Sequence, residues 1–60
     1  MDCIELNLCF ESEDAMANWE RINFSEDGYD IRRYKGRTVC MVFHDVNSDG
    51  TCCIKNIYVC

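Results

Sequence analysis

The chain has no proline, only three glycines and a single histidine among its 60 residues. The scarcity of proline and glycine, together with an apolar share of 48%, argues against a disordered chain. No apolar run is long enough to cross a membrane. The sequence also lacks a CxxC pair, so the usual ligand spacing of a zinc site is absent. These absences leave a folded domain without an evident metal, cofactor or membrane segment.

The length of 60 residues limits the chain to one small core. A domain of this size buries only about 60% of the surface that its unfolded chain exposes, so its stability is marginal. No linker, internal repeat or low-complexity tract divides the sequence. We therefore expect residues 1–60 to form a single domain.

Six cysteines are many for a chain of this length, and a secreted disulfide scaffold is one interpretation. Other features favour reduced thiols. The segment Met1-Asp2-Cys3 has no apolar region typical of a signal peptide, and the cysteines fall within strand-like patterns, where a thiol acts as a small hydrophobe. We expect reduced thiols and a cytoplasmic location, in the host cytoplasm if the chain is viral.

The first half of the chain predicts one strand and one helix. Residues 3–10 alternate strictly between apolar and polar positions, which is typical of a half-buried strand. Ser12 is a candidate N-cap of a helix that ends near Asn23. Residues 25–28, Ser-Glu-Asp-Gly, predict a turn. The helix carries one apolar stripe, formed by Ala15, Met16, Trp19 and Ile22.

The second half predicts three antiparallel strands at about 29–34, 37–46 and 51–59. The turns at 33–36 and 47–50 each end in glycine, which suits a type I turn closed by a glycine bulge. A two-residue turn at Lys35-Gly36 would pair Arg32 with Val39 and Asp30 with Met41. The bulged register is preferred because it pairs apolar residues with one another. Its cross-strand pairs are Ile31–Val39, Tyr29–Met41, Val39–Val59, Met41–Ile57 and Phe43–Lys55.

These elements predict an α+β fold in the order βαβββ, with one amphipathic helix on one face of a mostly antiparallel four-stranded sheet. The first strand lies beside either the last strand or the second one. The predicted core comprises the helix stripe with Ile4, Leu6, Leu8, Phe10, Tyr29, Ile31, Val39, Met41, Phe43, Ile57 and Val59. The same register leaves an apolar patch on the uncovered face, and such a patch is typical of an interface. The residues of this predicted sheet-face interface are Cys40, Val42, His44, Ile54 and Tyr58.

Several chemical sites are disfavoured by spacing. Cys40 and His44 are about 13 Å apart along one strand, too far to share a zinc ion. The segment 45–50 begins like a calcium-binding EF-hand loop, but its twelfth position is Asn56 and its flanks are strand-like, so a hairpin turn is preferred over weak calcium binding. His44 is the sole histidine, and a chain this small has little room for a substrate pocket. We expect no catalytic residues, no metal and no cofactor.

The charges are divided along the chain. Residues 1–30 hold nine acids and one base, whereas residues 31–60 hold five bases and two acids. The acids near the helix define a predicted partner-binding acidic face of Glu11, Glu13, Asp14, Glu20, Glu26, Asp27 and Asp30. The bases and an aromatic residue at one hairpin tip define an alternative nucleic-acid contact of Arg32, Arg33, Tyr34, Lys35 and Arg37.

The net charge of −5 disfavours nucleic acid as the partner and favours a protein with a basic surface. In size, acidity and lack of a catalytic constellation the chain resembles small phage-encoded proteins that block host defences, anti-CRISPR proteins included. That resemblance implies an inhibitor or adaptor that occupies a nucleic-acid-binding surface of its target. Two alternatives stay open, a nucleic-acid-binding accessory protein and a self-assembling subunit that forms a homodimer through its uncovered sheet face.

Overall fold

The computed structural model describes residues 1–28 and 30–60, and this part of the chain forms one helix and five strands. The helix α1 spans Glu13–Asn23. The strands are β1 (Asp2–Phe10), β2 (Ser25–Asp27), β3 (Ile31–Tyr34), β4 (Arg37–Val46) and β5 (Cys52–Val59). They form a curled antiparallel sheet in the order β1-β5-β4-β3-β2, so that β1 lies beside β5. The α+β class is confirmed.

The predicted four-stranded βαβββ order is wrong, because β2 forms where the sequence predicts a turn. Ser25–Asp27 pairs with β3, and the chain reverses between them around Gly28, whose φ is 52°. All three residues of β2 are exposed, so no alternating apolar pattern reveals the strand. As a result α1 connects the two edge strands, β1 and β2, and passes across the sheet between them.

The helix begins and ends where the sequence predicts. The Ser12 side chain accepts a hydrogen bond from the Ala15 backbone N–H at 3.2 Å, which satisfies one of the free donors of the first turn. Met16 is buried and Trp19 packs against the core. Ile22, predicted to belong to the same stripe, is 70% exposed. The buried stripe of α1 is therefore narrower than predicted.

The first hairpin takes the two-residue turn that the sequence analysis rejected. Tyr34 pairs with Arg37, and Lys35 and Gly36 between them have φ values of 51° and 82°, which is typical of a type I′ turn. The predicted Ile31–Val39 pair is wrong. The prediction chose the register that pairs apolar residues across the two strands. In the structure Tyr34 instead projects into an aromatic cluster beneath the helix, and this packing favours the other register. The predicted Tyr29–Met41 pair involves Tyr29, which lies outside the described residues.

The second hairpin starts in the predicted register and then departs from it at two bulges. Gly50 donates to the Asn47 carbonyl at 3.1 Å with a φ of 90°, as the glycine-bulge turn requires. Further along, Lys55 is an extra residue in β5 and Cys40 is an extra residue in β4. The predicted pair Val39–Val59 is formed, whereas Met41 pairs with Tyr58 and Phe43 pairs with Asn56.

Each bulge reverses which side of the sheet the following side chains occupy. One face of β5 therefore carries Cys52, Ile54, Ile57 and Val59, all of them 0% exposed. On β4 the predicted core residues Met41 and Phe43 are instead 48% and 53% exposed. Ile31, also predicted in the core, is 41% exposed.

Aromatic side chains fill the space between α1 and the sheet. Trp19 contacts three rings, with centroids 6.0 Å from Phe10, 5.6 Å from Phe24 and 6.3 Å from Tyr34. Phe24 and Tyr34 also meet edge to face at 5.8 Å. Neither Phe24 nor Tyr34 belongs to the predicted core, although both are buried.

Two disulfides join strands of the sheet, so the expectation of fully reduced thiols is wrong. Cys9 and Cys53 are directly paired residues of β1 and β5 with Cα atoms 4.0 Å apart. Cys40 of β4 is bonded to Cys60, with Cα atoms 6.0 Å apart. Among the described cysteines Cys3 and Cys52 are free, the first exposed and the second buried.

Candidate interaction surfaces

Three residues of the predicted acidic face gather at the start of α1. Glu13 and Asp14 occupy its first turn, where the helix dipole favours negative charge, and Glu11 precedes the Ser12 cap. All three acids are exposed. The capping residue thus places three carboxylates at one end of the helix.

The end of β4 and the β4–β5 turn add two acids, Asp45 and Asp49, that the sequence alone does not group with the helix. Phe10 and Val46 both pair with Cys52, so the end of β1 and the start of this turn lie at the same end of the sheet. The Thr51 hydroxyl and its backbone N–H donate to Asp49 at 2.6 and 3.0 Å, which holds the pKa of Asp49 below its usual 3.8. We define the acidic end as these five exposed carboxylates: Glu11, Glu13, Asp14, Asp45 and Asp49.

Glu20, predicted on the acidic face, is instead engaged within the molecule. Its side chain is only 15% exposed, and its carboxylate oxygens lie 3.6 Å from an Arg32 nitrogen and 3.4 Å from His44 Nε2. Glu20 thus links α1 to β3 and β4.

The remaining predicted acids lie along the β2–β3 edge. Glu26 and Asp30 are exposed, while Asp27 pairs with Arg33 at 3.3 Å. The acids that were predicted as one face therefore occupy three places: the acidic end, the underside of α1 and this edge of the sheet.

The basic hairpin tip does not form one cationic patch. Arg32 lies on the helix side of the sheet, where it contacts Glu20 and the Phe24 ring. Its neighbour Arg33 points to the other side of the sheet. Arg37 pairs with Asp2, and this hydrogen-bonded contact lowers the pKa of Asp2 from its usual 3.8. Three of the four bases at this tip are thus already paired with carboxylates.

Tyr34 cannot serve as a stacking platform for a nucleobase, because it is only 8% exposed. Lys35 lies over its ring, with the ammonium nitrogen 5.4 Å from the centroid. The aromatic residue that suggested a nucleic-acid contact therefore belongs to the core.

The predicted sheet-face interface is also divided between the two sides of the sheet. Ile54 is 0% exposed and Val42 packs against the core, both beneath the helix. His44 lies on that side too, against Glu20. Cys40 and Tyr58 remain on the uncovered side. The β-bulges explain the difference, since the prediction assumed unbroken alternation along β4 and β5.

The uncovered side carries other apolar residues instead. Cross-strand pairing forms one row of Cys3, Tyr58 and Met41 and a second row of Glu5, Asn56 and Phe43. Ile31 of β3 completes the exposed apolar set. We define the open sheet face as this surface: Cys3, Glu5, Ile31, Met41, Phe43, Asn56 and Tyr58.

The free thiol of Cys3 and the phenol of Tyr58 interact on this face. Cys3 is the cross-strand partner of Tyr58, and its side chain is the main cause that raises the pKa of Tyr58 above its usual 10.0, with partial burial as a smaller cause. On the other side of the sheet, burial and then the charge of Glu13 raise the pKa of Cys52 above 9.0. Cys52 is therefore a poor nucleophile at neutral pH.

A groove of about 570 Å³ lies beside the C-terminal half of α1. Its lining carries charges of both signs, from Glu20, Arg21, Glu26 and Arg32. Ser25 also lines the groove, and the described residues show no hydrogen bond between it and His44.

The described residues form neither a metal-binding cluster nor a membrane-spanning helix. Within residues 1–28 and 30–60, no three His, Cys, Asp or Glu side chains come together in a metal-binding arrangement. In the segment that resembles a calcium loop, Thr51 bonds both Asp49 and Asn47, as expected for side chains that stabilise a turn. In the same part of the chain no helix has the length and apolar character needed to cross a bilayer.

Comparison of the chain with protein-family models, curated proteins and solved structures finds no match.

Proposed function

We propose that this chain is a non-catalytic binding protein, an inhibitor or adaptor, whose target is a protein with a basic surface. The acidic end provides the contact in this proposal. A nucleic-acid-binding groove is a suitable target surface, because sites that attract phosphates also attract suitably spaced carboxylates.

The observation that carries the proposal is the charge left over after internal pairing. Of the 11 acids and six bases, three of each pair with one another, and eight acids remain against three bases. Five of the eight lie at the acidic end. Opposite charge on a partner accelerates association and orients the encounter, so the electrostatic complement of this molecule is basic.

The nucleic-acid alternative receives less support from the same contacts. Binding to phosphates requires free Lys and Arg side chains, and Arg32, Arg33 and Arg37 are each paired with a carboxylate. A nucleic acid would have to displace these partners and approach a molecule of net charge −5.

The test is affinity capture from a nuclease-treated lysate of the source organism, eluted with a salt gradient. Three baits are compared: the wild type, an acidic-end variant (Glu11→Gln, Glu13→Gln, Asp14→Asn) and a matched control (Glu5→Gln, Glu26→Gln, Asp30→Asn). Both variants remove three exposed acids, so they have equal net charge. We expect one basic protein to be retained by the wild type and the control and lost by the acidic-end variant.

Two results would contradict the proposal. Equal loss from both variants would mean that total charge, and no particular surface, governs retention. If the acidic-end variant still retained the basic protein, the binding site would lie on another part of the molecule. A gel shift with DNA and RNA at ~50 mM salt tests the alternative under conditions where phosphate contacts are strongest.

A further inference from the structure

The open sheet face is the principal exposed apolar surface of the sheet. Phe43 is 53% exposed, Met41 is 48% exposed and Ile31 is 41% exposed. All three lie on β3 and β4, and Tyr58 extends the surface onto β5. Large apolar side chains gathered on one face are typical of an interface.

This face is close to neutral in an otherwise acidic molecule. Its rows contain one acid, Glu5, and Lys55 is the bulged residue next to Asn56. On the β2–β3 side of the face, Asp27 stands opposite Ile31 and is paired with Arg33. Asp45 stands at its border with the acidic end. Two copies can therefore approach through this face with less repulsion than through any surface that includes the acidic end.

The dimensions of the face suit a second copy of the chain. The molecule measures 34 × 22 × 14 Å along its principal axes. These extents allow a face of at most 34 by 22 Å, which is comparable with the area of ~800 Å² per partner that a stable interface buries.

We propose that two copies of this chain pack their open sheet faces together around a two-fold axis. An isologous contact of this kind places the same residues of both protomers in one interface, so Met41 and Phe43 of each copy meet the apolar strip of the other. The dimer leaves both acidic ends free. This inference is independent of the proposed partner, since it uses different residues.

Sedimentation equilibrium and light scattering over about 5 µM to 1 mM provide the test, with non-reducing buffer to keep the disulfides. We expect a mass of twice 7.0 kDa at high concentration. The double variant Met41→Asp and Phe43→Asp should raise the dissociation constant by roughly 100-fold or more, because it places charges at the centre of the interface.

The control is Ile22→Asp, which replaces a more exposed apolar residue on α1, 70% exposed, and should leave the dimer unchanged. If the double Asp variant fails to fold, Met41→Gln with Phe43→Gln weakens the same contact with less disturbance. A wild type that is monomeric at 1 mM would overturn the proposal. So would a dimer that persists in the folded double variant, because it would form through another surface.

Discussion

At the scale of single residues, the burial of Ile54 shows which side of β5 supports the core. Its side chain is fully enclosed beneath α1, whereas Met41 on the opposite side of the sheet is half exposed. We predict that Ile54→Ala lowers the free energy of unfolding by about 2–5 kcal/mol, since it leaves a cavity in a packed region. Met41→Ala should cost the monomer much less, because surface substitutions usually change stability by within about 0.5 kcal/mol.

Urea denaturation of both variants measures the two effects. Comparison of the two variants also tests the register between β4 and β5. Unbroken alternation along these strands would bury Met41 and expose Ile54. A larger loss for Met41→Ala than for Ile54→Ala would therefore contradict the two bulges.

The Cys3–Tyr58 contact predicts a pH effect at one residue. The Tyr58 pKa lies above 10.0 mainly because of Cys3, so Cys3→Ala should allow Tyr58 to ionise at lower pH. Stability contributed by this contact is present below pH 10 and is lost as the pH rises through the folded pKa. Absorbance at 295 nm follows the phenolate, with Tyr58→Phe to assign its signal. An unchanged midpoint in Cys3→Ala would exclude the contact.

At the scale of elements, the turn between β3 and β4 determines which residues share a face. Lys35 has a φ of 51°, a conformation that asparagine tolerates and a β-branched residue does not. We predict that Lys35→Val is less stable than Lys35→Asn by about 1–2 kcal/mol. Both variants lose the contact with the Tyr34 ring, so their difference in thermal unfolding isolates the backbone conformation. Equal stability would point to the bulged turn, in which this position has a negative φ.

Local sequence signals predicted most of the elements. Ser12 and its following acids located the start of α1, and the segment 47–50 located the β4–β5 turn, because both signals act within a few residues. The strand β2 was missed because Ser25–Asp27 is polar and exposed on both faces. The bulges at Cys40 and Lys55 were missed because neither residue has a distinctive backbone preference.

The candidate surfaces were less predictable than the elements, because a surface depends on contacts between segments that are distant in the sequence. Glu13 and Asp14 were correctly placed at the start of a helix, which depends only on neighbouring residues. The pairing of Glu20 with Arg32 and His44 joins α1 to β3 and β4, and such contacts follow from the packing of distant segments. Likewise, Met41 and Phe43 were assigned to the core because the prediction contained no bulge along β4 and β5. A single bulged residue is enough to move such side chains to the other side of the sheet.

At the scale of the whole molecule, the excess of unpaired acids should affect stability directly. Eight acids remain against three bases, so the folded state holds like charges close together. We predict that stability to urea increases as the NaCl concentration rises from about 10 to 500 mM. Salt at 0.1 M already screens the repulsion between charges more than ~10 Å apart.

The acidic-end variant provides the comparison for this salt effect. It removes three of the repelling charges, so its stability should depend less steeply on salt, even though it also loses favourable contacts with the helix dipole. If the stability of the wild type fell with added salt, the exposed ion pairs would outweigh the repulsion.

The disulfide between Cys9 and Cys53 also determines how the molecule responds to mechanical load. If residues 1 and 60 are pulled apart, the shortest covalent path for the tension runs from β1 through this bond into β5 and bypasses residues 10–52. The helix, the aromatic cluster and the hairpin between β3 and β4 all lie within that covalent loop. Force can therefore extend only residues 1–9 and 53–60, and the covalent loop between them stays closed until the sulfur–sulfur bond is reduced.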